Sequence, residues 1–405
     1  MKKRSTVTSI DVGTTKVCTI IADVDDNYGV RIIGFGATPS HGLHKGLVVN
    51  INEAREAIRE SVKKAEQACN YKVDSAYIGV TGRHVSSMNN RGVVAITRND
   101  RLVRPEDLRR VLTNAQSIKV PNDRQLLHVI PRGYAVDGQV GVKNPVGMYG
   151  FRLDVETHIV TAAATSIQNL VKCVRSIGID IDDLVLEPLA SSEAVLTEDE
   201  KQVGVILADI GGGTTDICVF KDGSIWHTAV LPVAGYQLTR DIAIGLGLPF
   251  EVAEEMKKRY GSVMPVYESK MATASPISED GHGISYQDLC DIIRARVEEI
   301  LRLILLEMPR SDYEALVPAG LVLTGGSSNL SGIETLGREI VKLPVRVGIP
   351  TRISGITDSV RDPAYATGVG LLLWAAKNRG GQRWGSNWFG SRLRQLAFRL
   401  RKLFG

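Results

Sequence analysis

Two stretches almost 200 residues apart carry the same short chemistry. Asp11-Val12-Gly13-Thr14-Thr15-Lys16 and Asp209-Ile210-Gly211-Gly212-Gly213-Thr214-Thr215-Asp216 each place a carboxylate before a Gly/Thr turn. Apolar, strand-like runs follow each turn, Val17 to Ile21 and Ile217 to Phe220. A tight turn of this composition exposes backbone N–H groups and hydroxyls and can wrap an anion. Singly, either is an ordinary hairpin turn, because Gly and Thr are common there. Facing each other, the two would clamp one polyphosphate from both sides, with a carboxylate in each loop near a metal.

A third turn, Leu323-Thr324-Gly325-Gly326-Ser327-Ser328, follows a strand-like run from Gly320 and precedes a helical one from Ser331. A Gly-Gly turn there lets the backbone approach a flat base or ribose closely. The sequence holds no GxxxxGK[ST], no Ser-His-Asp set and no metal-ligand cluster, and its seven histidines are dispersed.

Strand and helix patterns surround these turns. Val7 to Ile21 and Val30 to Gly36 predict a three-stranded meander. Asn52 to Cys69 predicts an amphipathic helix, with Ala54, Ala57, Ile58, Val62, Ala65 and Ala68 at helical spacing. Residues 84–156 differ in character, being rich in Arg and Gly. They predict one helix from Pro105, a favoured first position, and short strands near Val93, Leu126 and Val136. The earlier pattern resumes with a strand over 157–164 and a helix over 167–177. Leu184 to Leu186 predicts a strand that Pro188 turns into a helix. Further helices are expected over 236–244, 250–260 and 285–308, and a last one runs from Asp362-Pro363 through Trp374. Ser285 and Asp288 have the spacing of a helix cap.

The 405 residues suffice for one two-lobed unit with a large core. Net charge is +4, but it is unevenly placed: from Pro363 onward there are eight Lys/Arg and no Asp/Glu. Five dispersed cysteines without a CxxC read as reduced core thiols. No stretch approaches the ~18 apolar residues of a spanning helix, and no signal peptide follows Met1-Lys2-Lys3-Arg4. A cytoplasmic chain is expected.

Residues 378–390 read as a linker. Beyond it, Leu393, Leu396, Ala397, Leu400, Leu403 and Phe404 form one apolar stripe, flanked by Arg392, Arg394, Arg399, Arg401 and Lys402. Phe398 falls on the polar side. A basic amphipathic helix of this kind suits an anionic membrane surface, with Trp388 and Phe389 at headgroup level. Docking on the body or on a partner helix is the alternative, and calmodulin-like or nucleic-acid binding is a further one.

The two acidic Gly/Thr turns and the Thr324–Ser328 turn, in this order and spacing, resemble the actin, sugar-kinase and DnaK-chaperone superfamily. They match its first and second phosphate loops and its adenosine motif. The replaced region after His84, the basic amphipathic end, Val80-Thr81-Gly82-Arg83-His84 and Asp362-Pro363-Ala364-Tyr365-Ala366-Thr367-Gly368 resemble the FtsA family of bacterial divisome actin homologues over essentially the whole chain.

The resemblance implies an α/β, actin-like two-lobed ATPase fold. Its first lobe core would comprise 1–83, 157–196 and 358–377, with the FtsA-type subdomain inserted at 84–156. Its second lobe core would comprise 197–230 and 310–357, with an outer subdomain at 231–309. The linker at 378–390 and the amphipathic membrane-targeting helix at 391–405 complete the chain. The resemblance also implies ATP and Mg2+ as cofactors, self-assembly into filaments, and a peripheral place on the cytoplasmic face of the inner membrane at the septum. The implied partners are the C-terminal peptide of FtsZ and other divisome proteins, the latter through the insert; no nucleic acid is expected.

By the same resemblance, Asp11 and Asp209 are the metal-side carboxylates, acting through water, and Lys16 neutralises phosphate. The backbones of Gly13, Thr14, Thr15, Gly211, Gly212, Gly213, Thr214 and Thr215 cradle phosphate, and Asp216 orients the second loop. Gly325, Gly326 and Ser327 approach the adenosine. Glu254 and Lys257 match an AExxK helix at the ribose, although an exposed i,i+3 salt bridge explains them equally. Glu187 matches a water-positioning glutamate, or simply caps a helix, so ATP turnover is slow at most. Arg259, Arg294 and Arg296 are candidates for an acidic peptide, or plain solvated positions. A small-molecule kinase of the same superfamily and a PilM-like adaptor anchored by a protein partner are the competing readings.

Overall fold

The computed structural model describes residues 5–26, 29–264, 285–308 and 316–378. Two sheets lie at its centre. The first has six strands in the order Asp180–Leu186, Ser75–Val80, Ser5–Val12, Lys16–Val24, Val30–Pro39 and Ile353–Gly355. The second has five, in the order Ser224–Leu231, Thr215–Lys221, Val205–Ile210, Leu321–Thr324 and Val345–Val347. Each sheet therefore contains an antiparallel hairpin that ends in one of the two acidic turns, with a parallel strand against its first arm.

The meander forms because its residues alternate. Val30–Pro39 buries every second side chain, as a strand with one covered face must. The helix Ile51–Cys69 covers that face, and Asn50 caps it by accepting from the amides of Asn52 at 3.0 Å and Glu53 at 3.3 Å.

Two helices between the sheets aim their starts at the site. Glu187–Val195 begins directly after Leu186 at the end of its strand. Ala366–Lys377, almost wholly buried, follows a short 3-10 turn, Pro363–Tyr365. They cross at Gly370, where a Cβ would lie 1.9 Å from the carbonyl oxygen of Ala190. The close crossing holds both helix N-termini at fixed places, and such termini favour anions.

Residues within 84–156 contribute to a separate four-stranded sheet, in the order Ser86–Ala95, Arg152–Ala163, Arg124–Val136 and Gln139–Val142. The helix Pro105–Gln116 packs on it around Leu108, Val111 and Leu112. Among the described residues Arg152–Ala163 pairs only with Ser86–Ala95 and Arg124–Val136, so residues 157–163, expected in the first lobe, belong to this separate sheet, His158 among them. The insert also touches the second lobe at the strand Ser224–Leu231. There His158 Nε2 lies 2.9 Å from Thr228 Oγ1, Ser87 Oγ donates to the Thr228 carbonyl at 2.9 Å, and the Arg132 guanidinium stacks 4.4 Å over Trp226.

Several expected elements shift slightly. The helix expected over 285–308 spans Tyr286–Leu306, with Ser285 Oγ accepting from the Asp288 amide at 3.3 Å. The helix expected over 167–177 starts earlier and spans Ala164–Arg175. The expected tail, with Trp388, Phe389, Arg392, Leu393, Arg394, Leu396, Arg399, Leu400, Arg401, Lys402, Leu403 and Phe404, lies outside the described residues. Among the described residues, no helix is long and apolar enough to cross a membrane.

Candidate nucleotide site

The two acidic turns are equivalent in register. In the first hairpin Val12 pairs Val17 and Asp11 pairs Cys18; in the second Ile210 pairs Thr215 and Asp209 pairs Asp216. Each turn closes with the same bond, Gly13 N to Lys16 O at 3.0 Å and Gly211 N to Thr214 O at 2.9 Å. Lys16 therefore corresponds to Thr214, and Asp216 corresponds to Cys18.

The tips of the turns face each other across the lobes. A Cβ on Gly212 would lie 2.3 Å from Thr15 Cγ2, and one on Gly213 would lie 2.4 Å from Thr14 Oγ1. Only glycine allows this approach. Beside the tips opens a cavity of about 490 Å³, a size that suits a small-molecule ligand.

Asp11, Gly13, Thr14, Thr15, Lys16, Glu187, Asp209, Gly211, Gly212, Gly213, Thr214, Asp216, Glu254, Lys257, Gly325, Gly326 and Ser327 all line this cavity. Thr215 does not. It lies one residue out of phase with Asp216, is fully buried, and donates its hydroxyl to the Val233 carbonyl at 2.7 Å. Ser327 Oγ donates to the Gly211 carbonyl at 3.0 Å, which joins the third turn to the second. Lys257 Nζ pairs with Glu254 Oε2 at 2.6 Å and donates to Thr239 Oγ1 at 2.9 Å, so the pair faces the cavity as one unit.

Four carboxyl groups line the cavity, Asp11, Glu187, Asp209 and Asp216, all under 10 % exposed. Burial raises Asp11 to about 6; nearby Lys16 pulls it down and Asp209 pushes it further up. Burial likewise raises Asp216 to about 7, against the hydrogen bond from Thr81. Glu187 is raised well above the usual carboxylate range, by burial first and then by Asp11, Asp216 and Asp209. Asp209 is raised by burial too, although Ser191 Oγ at 2.6 Å and Thr367 Oγ1 at 3.1 Å donate to it. Burial and mutual repulsion disfavour the charged forms of these carboxyls, and a cation among them would favour those forms. Among the described residues no group of His, Cys, Asp and Glu can hold a metal by itself. A cation bound beside these carboxyls would take most of its ligands from water and from a bound anion.

Sequence reading missed Thr81, Asp362, Ala364, Tyr365 and Thr367, which also line the cavity. All five fall within the two family-like stretches, Val80 to His84 and Asp362 to Gly368, which carried no assigned role. Arg259, Arg294 and Arg296 lie away from the cavity and are engaged by carboxylates: Arg259 by Glu255 at 2.7 Å, Arg294 by Glu298 at 3.1 Å and Glu339 at 3.0 Å, and Arg296 by Asp241 and Glu299.

Known proteins share this fold. The whole fold is similar to that of a PilM-PilN type IV pilus biogenesis complex (TM-score 0.63, 16 % identity, 91 % of this chain and 98 % of that one). It is also similar to MreB5 of Spiroplasma citri bound to ADP (TM-score 0.52, 13 % identity, 89 % and 94 % covered). At these identities the likeness establishes the actin-like fold alone. The family model for cell division protein FtsA matches residues 206–370, and the model for the SHS2 domain inserted in FtsA matches residues 82–161. The chain is 43 % identical to the cell division protein FtsA of Pseudomonas aeruginosa PAO1 over 92 % of its own length and 90 % of that protein's. This chain thus belongs to the FtsA family of actin-like cell division proteins.

Proposed function

We propose that the cavity between the lobes binds ATP with Mg2+, and that the bound nucleotide governs assembly of the chain with itself on the cytoplasmic face of the inner membrane at the septum. The observation that carries this reading is the pair of equivalent acidic hairpins meeting over one cavity. The amides at the tips, Thr14, Thr15, Gly212 and Gly213, would bind phosphate oxygens, and Lys16 would neutralise them. Gly325, Gly326 and Ser327 would bound the adenosine side, with Glu254 and Lys257 at the ribose. Asp11 and Asp209 would hold the metal's water ligands, and Asp216 would brace the second hairpin through Thr81. Bound Mg2+ would supply positive charge to the phosphates and relieve the crowding of the four carboxyls.

Glu187 faces the same cavity and makes no hydrogen bond or ion pair among the described residues. Burial and the three neighbouring carboxyls favour the protonated form of Glu187, and a protonated carboxyl cannot take a proton from an attacking water, so Glu187 as the water-positioning group is consistent with slow ATP turnover. The basic amphipathic sequence at 391–405 would anchor filaments to anionic lipid, and each basic residue adds on the order of 1 kcal/mol near such a surface. Family membership supports a tether for FtsZ through its C-terminal peptide and contacts of the insert with other divisome proteins.

Co-sedimentation with anionic liposomes, with and without ATP, tests the reading on the full chain and on a version ending at Trp384. Pelleting of the full chain alone supports membrane tethering. Pelleting of neither contradicts the anchor and favours attachment through a protein partner.

A further inference from the structure

Lys16 is a half-buried cation, and among the described residues no carboxylate forms an ion pair with it, although Asp11, Asp362 and Asp209 act on it at longer range. Partial burial of an ammonium without a contacting counter-ion is costly, and it lowers the lysine's affinity for its proton against the pull of those carboxylates. Two neighbours hold it in place. Its Nζ donates to the carbonyl of Ala364, and it sits 3.5 Å from the centroid of the Tyr365 ring. An aromatic face attracts a cation at this range, yet it leaves the charge unneutralised. A carboxylate in the same place would cancel the charge and compete with an anionic ligand.

Tyr365 is itself fixed. Its ring stands edge-on to Phe35, with centroids 5.3 Å apart. The segment that carries it is tied to the third turn on the other lobe. Asp362 Oδ1 accepts from Asn329 Nδ2 at 3.0 Å, and the Gly325 amide donates to the Pro363 carbonyl at 3.1 Å. A strap of four residues therefore links the adenosine-side turn to the phosphate-side lysine.

We propose that Tyr365 is a positioning residue for Lys16: its ring and the Ala364 carbonyl form a cradle that holds the ammonium toward the polyphosphate without cancelling its charge. This rests on the reading of the cavity as an ATP site. The phenol oxygen plays no part in the cradle; the ring face does. The strap also places Tyr365 where occupation of the adenosine side bears on the lysine's aim.

Equilibrium binding of ATP and of adenosine to the full chain tests this, in the wild type and in Tyr365→Phe, Tyr365→Leu and Tyr365→Ala. The expected result is an affinity for ATP about tenfold lower in the Leu and Ala variants. Adenosine binding stays unchanged in them, and Phe retains both. Equal losses of ATP and adenosine would show a merely structural role and overturn the proposal. Unchanged ATP affinity in the Ala and Leu variants would overturn it as well. A wild-type chain that binds no ATP would overturn the reading of the cavity and the proposal together, which sets that failure apart from the others.

Discussion

Gly213 of the second-lobe hairpin sits so close to Thr14 of the first that a Cβ on it would meet the threonine hydroxyl oxygen at 2.4 Å. The two lobes touch at the tips of their acidic turns through hydrogen atoms where other residues carry side chains. The fold thus brings to within a few ångströms two turns that are almost 200 residues apart in the sequence.

Gly213→Ala should wedge these turns apart. Overpacking of this kind costs about 1–3 kcal/mol. ATP affinity should fall about tenfold or more with secondary structure intact. Titration with a fluorescent ATP analogue, alongside far-UV circular dichroism, checks both parts. Undiminished binding would mean that the tips do not act together.

Ser191→Ala removes a 2.6 Å hydrogen bond to the buried Asp209 carboxyl and leaves Thr367 as its remaining hydroxyl donor. A hydrogen bond to a charged group contributes about 1.5–3 kcal/mol. Urea unfolding of the variant should show a loss of that order. A change near zero would mean that Asp209 is held protonated and gains little from Ser191.

Glu187→Gln should act in two opposite directions. Replacing a crowded buried carboxyl by an amide relieves repulsion from Asp11, Asp216 and Asp209, so the nucleotide-free chain should gain on the order of 1 kcal/mol at neutral pH. Whatever ATP hydrolysis the wild type shows should drop. A calorimetric melt and a single-turnover assay read the two effects; a lower melting temperature with full turnover would contradict the assignment.

The contact between insert and second lobe should weaken in acid. Burial, with His227 and Arg132 nearby, holds the His158 ring at about 4, below its ordinary 6.5. The folded chain therefore binds fewer protons than the unfolded one between these values. The stability His158 contributes is present above pH 6.5 and is lost as pH falls through about 4. Urea midpoints from neutral to acidic pH should decline, and His158→Gln should flatten the decline by on the order of 2 kcal/mol. His84, also held at about 4 by burial and by Arg124, accounts for part of the remaining slope. Equal slopes with and without His158 would place the acid sensitivity elsewhere.

Much of the site was legible in the sequence because its chemistry is local. An Asp, a Gly/Thr turn and two apolar arms dictate a hairpin wherever they stand, and the helix over 250–260 follows from its periodicity and is Phe250–Tyr260 in the structure. Thr-Thr occurs in both turns, but the second threonine of the second turn lies two positions further along its hairpin than that of the first. Strand alternation decides instead: Thr215 corresponds to Val17, and both side chains point into the core. Tyr365, Thr367 and Thr81 were illegible as site residues because their roles depend on contacts across the whole chain. Lys16 and Ala364 are 348 positions apart, and periodicity carries no information at that range.

Calorimetric titration of the full chain with ATP and Mg2+, beside the same titration of Lys16→Ala, tests the central claim most directly. The account predicts saturable one-site binding by the wild type and a loss of at least about tenfold in the variant. No saturable binding by the wild type, or equal binding by both, would contradict it.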